Sequence, residues 1–237
     1  MIYRFNTLSS TNDEARKATY KGGDVVVADF QTEGRGQRGN RWSSDAGKNL
    51  MFSIVVSPKG LPASAQFVLL ECVALGLVDA LAEWGIATSI KWTNDIYVGD
   101  RKLVGVLIEN SISDGLVARS VVGIGINVNQ TEFDPTLPNP TSMALVCGRK
   151  FSCDEVLESV YRCVMLRLES LDEGCAEHLH REYCERMFRL GVEAEFALPD
   201  GSRLRGVIRG VEPQGALIVA TEGGERRFLF KEVAFVL

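Results

Sequence analysis

Residues Gln31–Trp42 read Gln-Thr-Glu-Gly-Arg-Gly-Gln-Arg-Gly-Asn-Arg-Trp, the densest chemistry in the sequence. Gly34, Gly36 and Gly39 let backbone amides come close to a ligand. Arg35, Arg38 and Arg41 add fixed positive charge, and a guanidinium grips a phosphate through two hydrogen bonds. On composition alone an anion site and a solvated loop stand even. The position between two apolar segments tips the balance toward a ligand. The glycines also satisfy G-x-G-x-x-G literally. A dinucleotide fingerprint, however, needs a helix straight after the loop and an acid about 20 residues on. The next element here is Leu50–Val56, a strand pattern with no acid in it, so the sequence argues against a Rossmann site.

Other candidates are sparser. Lys91-Trp92-Thr93-Asn94-Asp95 sits between two strand patterns, and Lys91 lies between apolar Ile90 and Trp92. Buried there it needs an anionic partner; the alternative is an exposed lysine at a strand end. Gly105, Gly123 and Gly125 fall inside strand patterns, where glycine permits close approach of a ligand or marks a bulge. Lys102 lies at a hairpin tip. Asn127 and Asn129 end a strand, as amide donors or as turn residues. Ser10-Thr11-Asn12 starts a helix, which leaves Ser10 and Asn12 able to face a pocket. The six cysteines contain no C-x-x-C pair, which points to reduced thiols in a cytoplasmic protein without a zinc site.

These residues must be held by ordinary globular elements. The 237 residues are 46% hydrophobic and 24% charged, with a net charge of −5, so the basic excess of a general nucleic-acid binder is missing. No apolar run reaches membrane-spanning length, and the N-terminus lacks the pattern of a signal peptide. Thr11 and Glu14 form a capping-box pattern for a helix running to about Tyr20. Strands are expected at 24–30, 50–56, 96–98, 103–109 and 117–127. Pro62 opens a helix that ends at Gly85, Ser152 and Glu155 cap another, and a further one covers 176–188. From Val192 on, helical periodicity gives way to short strands split by turns at Pro199-Asp200-Gly201 and Gly223-Gly224, the pattern of a small β-barrel. The expected architecture is α+β: a mixed, largely antiparallel sheet flanked by helices over residues 1–188, then a barrel over 189–237.

Taken together, Ser10-Thr11-Asn12, the GRGQRGNRW run, KWTND at 91–95, KLVGVLIE at 102–109 and GIGINVN at 123–129 resemble, in order and spacing, the biotin–protein ligase family. The resemblance is to the short form without an N-terminal DNA-binding domain. It spans nearly the whole chain, is strongest over Ser10–Asn129, and implies a terminal barrel of the Src-homology-3 type.

The resemblance implies an enzyme that activates biotin with ATP, magnesium arriving with the nucleotide, and passes it to a lysine of a biotin carrier domain. It implies that Ser10, Thr11, Asn12 and Gln31 contact or line the biotin pocket. Arg35, Gly36 and Gln37 match the loop that closes over biotin and its adenylate. Lys91 matches the lysine at the reacting carboxylate and phosphate, and Gly105 belongs with the biotin site. Arg35, Arg38, Trp42, Lys102 and Asn127 match nucleotide contacts. Lys91 and Arg35 are thus the expected catalytic charges, and no residue is expected to bind metal. The enzyme is expected as a monomer or a homodimer. Two positions depart from the family pattern: Gln37, where many members carry an arginine associated with holding the adenylate, and Thr93, where proline is usual. Rival readings are a lipoate-type ligase or acyltransferase of the same fold, a biotin-sensing repressor, for which no DNA-binding segment precedes Ser10, and an interaction module built on the barrel. The last leaves the motifs before Asn129 without a purpose.

Overall fold

In the computed structural model, which describes residues 1–172 and 174–236 apart from the side chains of Arg38 and Asp172, the run Leu50–Val56 is buried at every position. A strand covered on both faces needs such a run, and this one is the third of a seven-stranded sheet. Its strands are β1 Ile2–Leu8, β2 Val25–Gln31, β3 Leu50–Val56, β4 Ser89–Lys91, β5 Asp95–Val98, β6 Arg101–Ser113 and β7 Leu116–Ile126. The order is β1-β2-β3-β7-β6-β5-β4, with β1 and β2 parallel and the other pairs antiparallel. Alternate residues serve the two faces. Val25, Val27, Phe52 and Ile54 join the main core. Val26, Val55 and Val121 meet Ala15 and Tyr20 on the other side.

The main face is covered by α2 (Phe67–Glu83), α4 (Cys153–Asp172) and α5 (Ala176–Glu185); α1 (Thr11–Ala15) lies on the opposite face and α3 (Met143–Cys147) is a single turn. The stretch Ala63–Glu83 is in fact long and apolar enough to cross a membrane by length and composition, but 72% of its apolar 18-residue window is buried inside the protein; it contains the core helix α2. Gly76 lets α4 approach closely: a methyl there would sit 2.6 Å from the Val164 Cα. Charged groups tie the helices further. Arg167 bonds Asp79 and Glu182, and His180 Nδ1 lies 2.6 Å from Glu71 Oε1. Burial pushes the Glu71 carboxyl above the usual carboxylate range, while His180 pulls it down.

The C-terminal strands, β8 Glu193–Ala197, β9 Arg203–Val211, β10 Leu217–Thr221, β11 Gly224–Phe228 and β12 Ala234–Phe235, form a second, antiparallel sheet in the order β11-β10-β9-β8-β12. Phe196, Ile208, Leu217 and Val219 belong to the same apolar cluster as the helices and the first sheet. Between the sheets the chain runs along edge strand β4: Ile90 donates to the Arg186 carbonyl, and Phe188 donates to the Ile90 carbonyl.

Two local expectations change. The helix expected to reach Tyr20 stops at Ala15, where Arg119 donates to the carbonyls of Ala15, Lys17 and Tyr20; a side chain thus satisfies groups a longer helix would have paired. The capping box at Thr11 does not form. Ser10 is the cap residue and makes no side-chain cap bond. The Thr11 amide instead donates to Gln31 Oε1, and its hydroxyl pairs with Ser53. Tertiary partners win over the local motif because they sit in a buried setting where unmet polar groups are costly.

Candidate active site

The cleft forms where the polar start of α1, the glycine-arginine loop and strands β4–β7 meet. Its cavity volume is about 240 Å³. Its floor is the cross-strand pair Gly105–Gly125. Glycine is required there for close approach: the Trp42 indole packs on both residues, and a methyl at Gly125 would stand 2.5 Å from Trp42 Cε2. Gly123 makes the same room for Asn12, since a methyl there would stand 2.2 Å from Asn12 Oδ1.

One end of the cleft is polar and uncharged. Gln31 Oε1 accepts from the Thr11 amide at 2.7 Å, and Ser53 Oγ lies 2.8 Å from Thr11 Oγ1 and 2.6 Å from Asn12 Oδ1. Asn12 Nδ2 donates to Leu107 O and to Glu109 Oε2. Ser10, Thr11 and Asn12 are each under 5% exposed, so their polar groups are held rigidly, as a recognition surface requires. Ser53, fully buried behind the cleft, holds Thr11 and Asn12 in place and is missed by sequence reasoning. Its one signal there is that it is the sole polar residue in LMFSIVV.

The other end is cationic. Lys102 Nζ pairs with Asp95 Oδ1 at 2.7 Å and lies 5.9 Å from the Trp42 ring centroid. Lys91 Nζ lies 5.3 Å from the Tyr97 ring and 4.9 Å from that of Phe235, on the second sheet. Burial holds the Lys91 amine below the usual lysine range; Asp95 opposes that shift and Lys102 adds to it. The loop Trp92–Asn94 is clamped from three sides. Trp92 Nε1 donates to Gly215 O at 3.0 Å, Tyr183 Oη donates to Thr93 O at 2.9 Å, and Asn94 Nδ2 donates to Val106 O.

The glycine-arginine loop closes over the middle. Arg35 and Arg41 form an antiparallel bridge, and Trp42 N donates to Gly34 O at 2.9 Å. Arg35 Nη2 meets Asp13 Oδ1 at 2.7 Å and Glu109 Oε2 at 3.0 Å. Gln37 Oε1 accepts a long contact of 3.4 Å from Thr93 Oγ1, so the two positions that depart from the family pattern touch. The next strand after the loop is β3, as expected for a loop that is not a dinucleotide fingerprint.

Of the residues singled out from the sequence, Ser10, Thr11, Asn12, Gln31, Arg35, Gly36, Gln37, Trp42, Lys91, Lys102 and Gly105 line this one cleft. Asn127 is not on its lining; its Nδ2 donates to Thr141 O at 2.9 Å and fixes the chain after β7. The Arg38 side chain lies outside the described residues. Asn40, Asn94, Asp95 and Phe230 also line the cleft. Phe230 carries no sequence signal, since it arrives from the C-terminal segment. The Trp42 indole N–H is buried and meets no acceptor among the described residues, so it is a donor available to a ligand.

The cleft thus joins a hydroxyl-and-amide pocket to a cationic end across a glycine floor, at one end of a mixed sheet. The family model described as the biotin/lipoate A/B protein ligase family matches residues 4–127, and the chain belongs to that family. It is 31% identical to the biotin–[acetyl-CoA-carboxylase] ligase of Paracoccus denitrificans over 95% of this chain and 97% of that protein. It is 30% identical to the bifunctional ligase/repressor BirA of Bacillus subtilis over 98% of this chain and 73% of that protein. The biotin protein ligase of Aquifex aeolicus, solved with biotin and ATP, superposes with a TM-score of 0.84 at 28% identity, covering 99% of this chain and 98% of that one.

Proposed function

We propose that this protein is an ATP-dependent biotin–protein ligase that activates biotin as biotinyl-5'-adenylate and transfers it to a lysine of a biotin carrier domain. The observation that carries the reading is the division of one cleft, in a member of this family, into a neutral pocket at Ser10–Asn12 and a cationic end at Lys91 and Lys102. Biotin carries a neutral ring system at one end and a carboxylate at the other, so its chemistry matches that polarity.

In this reading Ser10, Thr11, Asn12 and Gln31 hold the ring system. The carboxylate oxygen attacks the α-phosphorus of ATP, one P–O bond forms as another breaks, and pyrophosphate leaves. Negative charge gathers on the phosphate oxygens, and Lys91, Lys102 and Arg35 stabilise it by prearranged electrostatics. Trp42 supports the nucleotide end. Magnesium would come with ATP and be held chiefly by its phosphates. The closed loop keeps water from the mixed anhydride. The carrier lysine then attacks the acyl carbon, AMP leaves, and an amide remains. The six free cysteines fit a reducing compartment such as the cytoplasm.

The test is biotin-dependent exchange of labelled pyrophosphate into ATP, with lipoate and octanoate alongside. Exchange with biotin alone is expected; exchange with lipoate instead would move the protein to the lipoate branch, and none at all would refute an adenylating site. A second expectation concerns Gln37. Restoring a charge with Gln37→Arg adds a phosphate partner, so biotinyl-adenylate is expected to leave about tenfold more slowly; an unchanged release rate would show that charge at this position does not govern retention.

A further inference from the structure

Gly105, Leu107 and Glu109 point to one face of β6, because strand side chains alternate. The first two line the cleft; Glu109 ends the row beneath the glycine-arginine loop, where with Arg35 and Leu107 it lines a second hollow. Its Oε2 accepts from two donors in different parts of the site: Asn12 Nδ2 at 2.8 Å and Arg35 Nη2 at 3.0 Å. Its Oε1 accepts from Arg16.

The direction of the hydrogen bonds behind Asn12 is fixed by proton count. An amide oxygen only accepts, and a serine hydroxyl has one proton to give. Ser53 therefore donates to Asn12 Oδ1 and accepts the Thr11 proton. Asn12 is then locked with Nδ2 toward Leu107 O and Glu109. A single chain runs from Thr11 through Ser53 and Asn12 to one carboxylate oxygen, and from there to the loop.

We propose that Glu109 is a positioning residue that couples the neutral pocket at Thr11 and Asn12 to closure of the glycine-arginine loop through Arg35, and so sets how long the activated acid is retained. The inference rests on the biotin-ligase reading. Glu109 touches neither reacting group. One of its oxygens serves Asn12 and Arg35 together, so a ligand that fixes Thr11 and Asn12 favours the closed loop.

The test is the release rate of biotinyl-adenylate, read beside the biotin KM and the single-turnover adenylation rate. Glu109→Gln keeps the shape but loses the charge that binds several donors at once. Release is expected to rise about tenfold and KM to rise with it, with the single-turnover rate at saturating biotin falling less than it does in Arg35→Gln. Arg35→Gln removes the other side of the contact and should speed release similarly. The double variant should release no faster than either single one, because the two act as a unit. Asp13→Asn, which leaves Asn12 and Glu109 joined, should have a distinctly smaller effect. Unchanged release in Glu109→Gln, additive effects in the double variant, or a fall in the single-turnover rate at constant KM would each overturn the coupling. A native protein that exchanges no pyrophosphate with biotin would refute the ligase reading itself; native exchange with an unaltered Glu109→Gln variant would refute only this inference.

Discussion

Lys91→Met is expected to lower biotin-dependent pyrophosphate exchange by about two to three orders of magnitude while raising the melting temperature. The two effects have one cause. Lys91 sits half-buried beside Tyr97 and Phe235, where desolvation holds its amine below the usual lysine range against the attraction of Asp95. A charge held at such expense to folding is worth most where negative charge develops, and removing one prearranged partner of that kind typically costs about 10²–10³ in rate. Methionine restores an apolar contact without the desolvation cost. The same shift sets the sign of the pH effect. In the native protein the folded state releases the Lys91 proton below 10.5, while the unfolded chain still holds it. The unfolded state therefore binds more protons in that window, and stability gained from this residue rises with pH until 10.5 is passed. The variant should lack that slope. Exchange within about threefold of the native rate would remove Lys91 from the chemistry.

The glycine floor supports the second large prediction. Gly123→Ala puts a methyl against Asn12, and Gly125→Ala puts one against the Trp42 ring. Carbon contacts settle near 3.5 Å, so each partner must move by about 1 Å, and a displacement of that size in a reacting site can cost about 100-fold. The readouts should differ. Gly123→Ala is expected to raise the KM for biotin with little change for ATP, because it displaces the neutral pocket. Gly125→Ala is expected to raise the KM for ATP, because it lifts Trp42. Steady-state kinetics with each substrate varied in turn decides the matter: equal losses for both substrates in both variants would mean the cleft is not divided as proposed.

Where the sequence is legible, patterning within a single element carries the information. Leu50–Val56 occupies the residues that its apolar run predicts, and the helix behind Ser152 forms with the Glu155 amide on the Ser152 hydroxyl at 3.4 Å. β1 is absent from the expected strands, for it is an edge strand whose residues are largely exposed and so lacks a strong apolar signature. Site residues are legible where unusual composition marks them, as in the Gly34–Trp42 run, and through resemblance elsewhere. Ser53, Glu109 and Phe230 become visible only through long-range partners and placement: Ser53 meets Thr11 across 42 positions, and Glu109 meets Arg35 across 74. Nothing in local periodicity encodes such meetings. Thr11 shows the converse, a local motif that reads well and yields to tertiary bonds.

The clamp on the Trp92–Asn94 loop bears on how the protein comes into being at the ribosome. The loop and Lys91 are made early, yet Tyr183, Gly215 and Phe235, which hold them, are translated far later. Early segments tend to fold as they emerge, so the sheet can assemble while its reactive end is still unsupported. A nascent chain interrupted before the second sheet would keep the Tyr183 and Val106 contacts but lack those of Gly215 and Phe235. The full set of contacts around Lys91 is therefore completed only when the last strand, with Phe235, has been made.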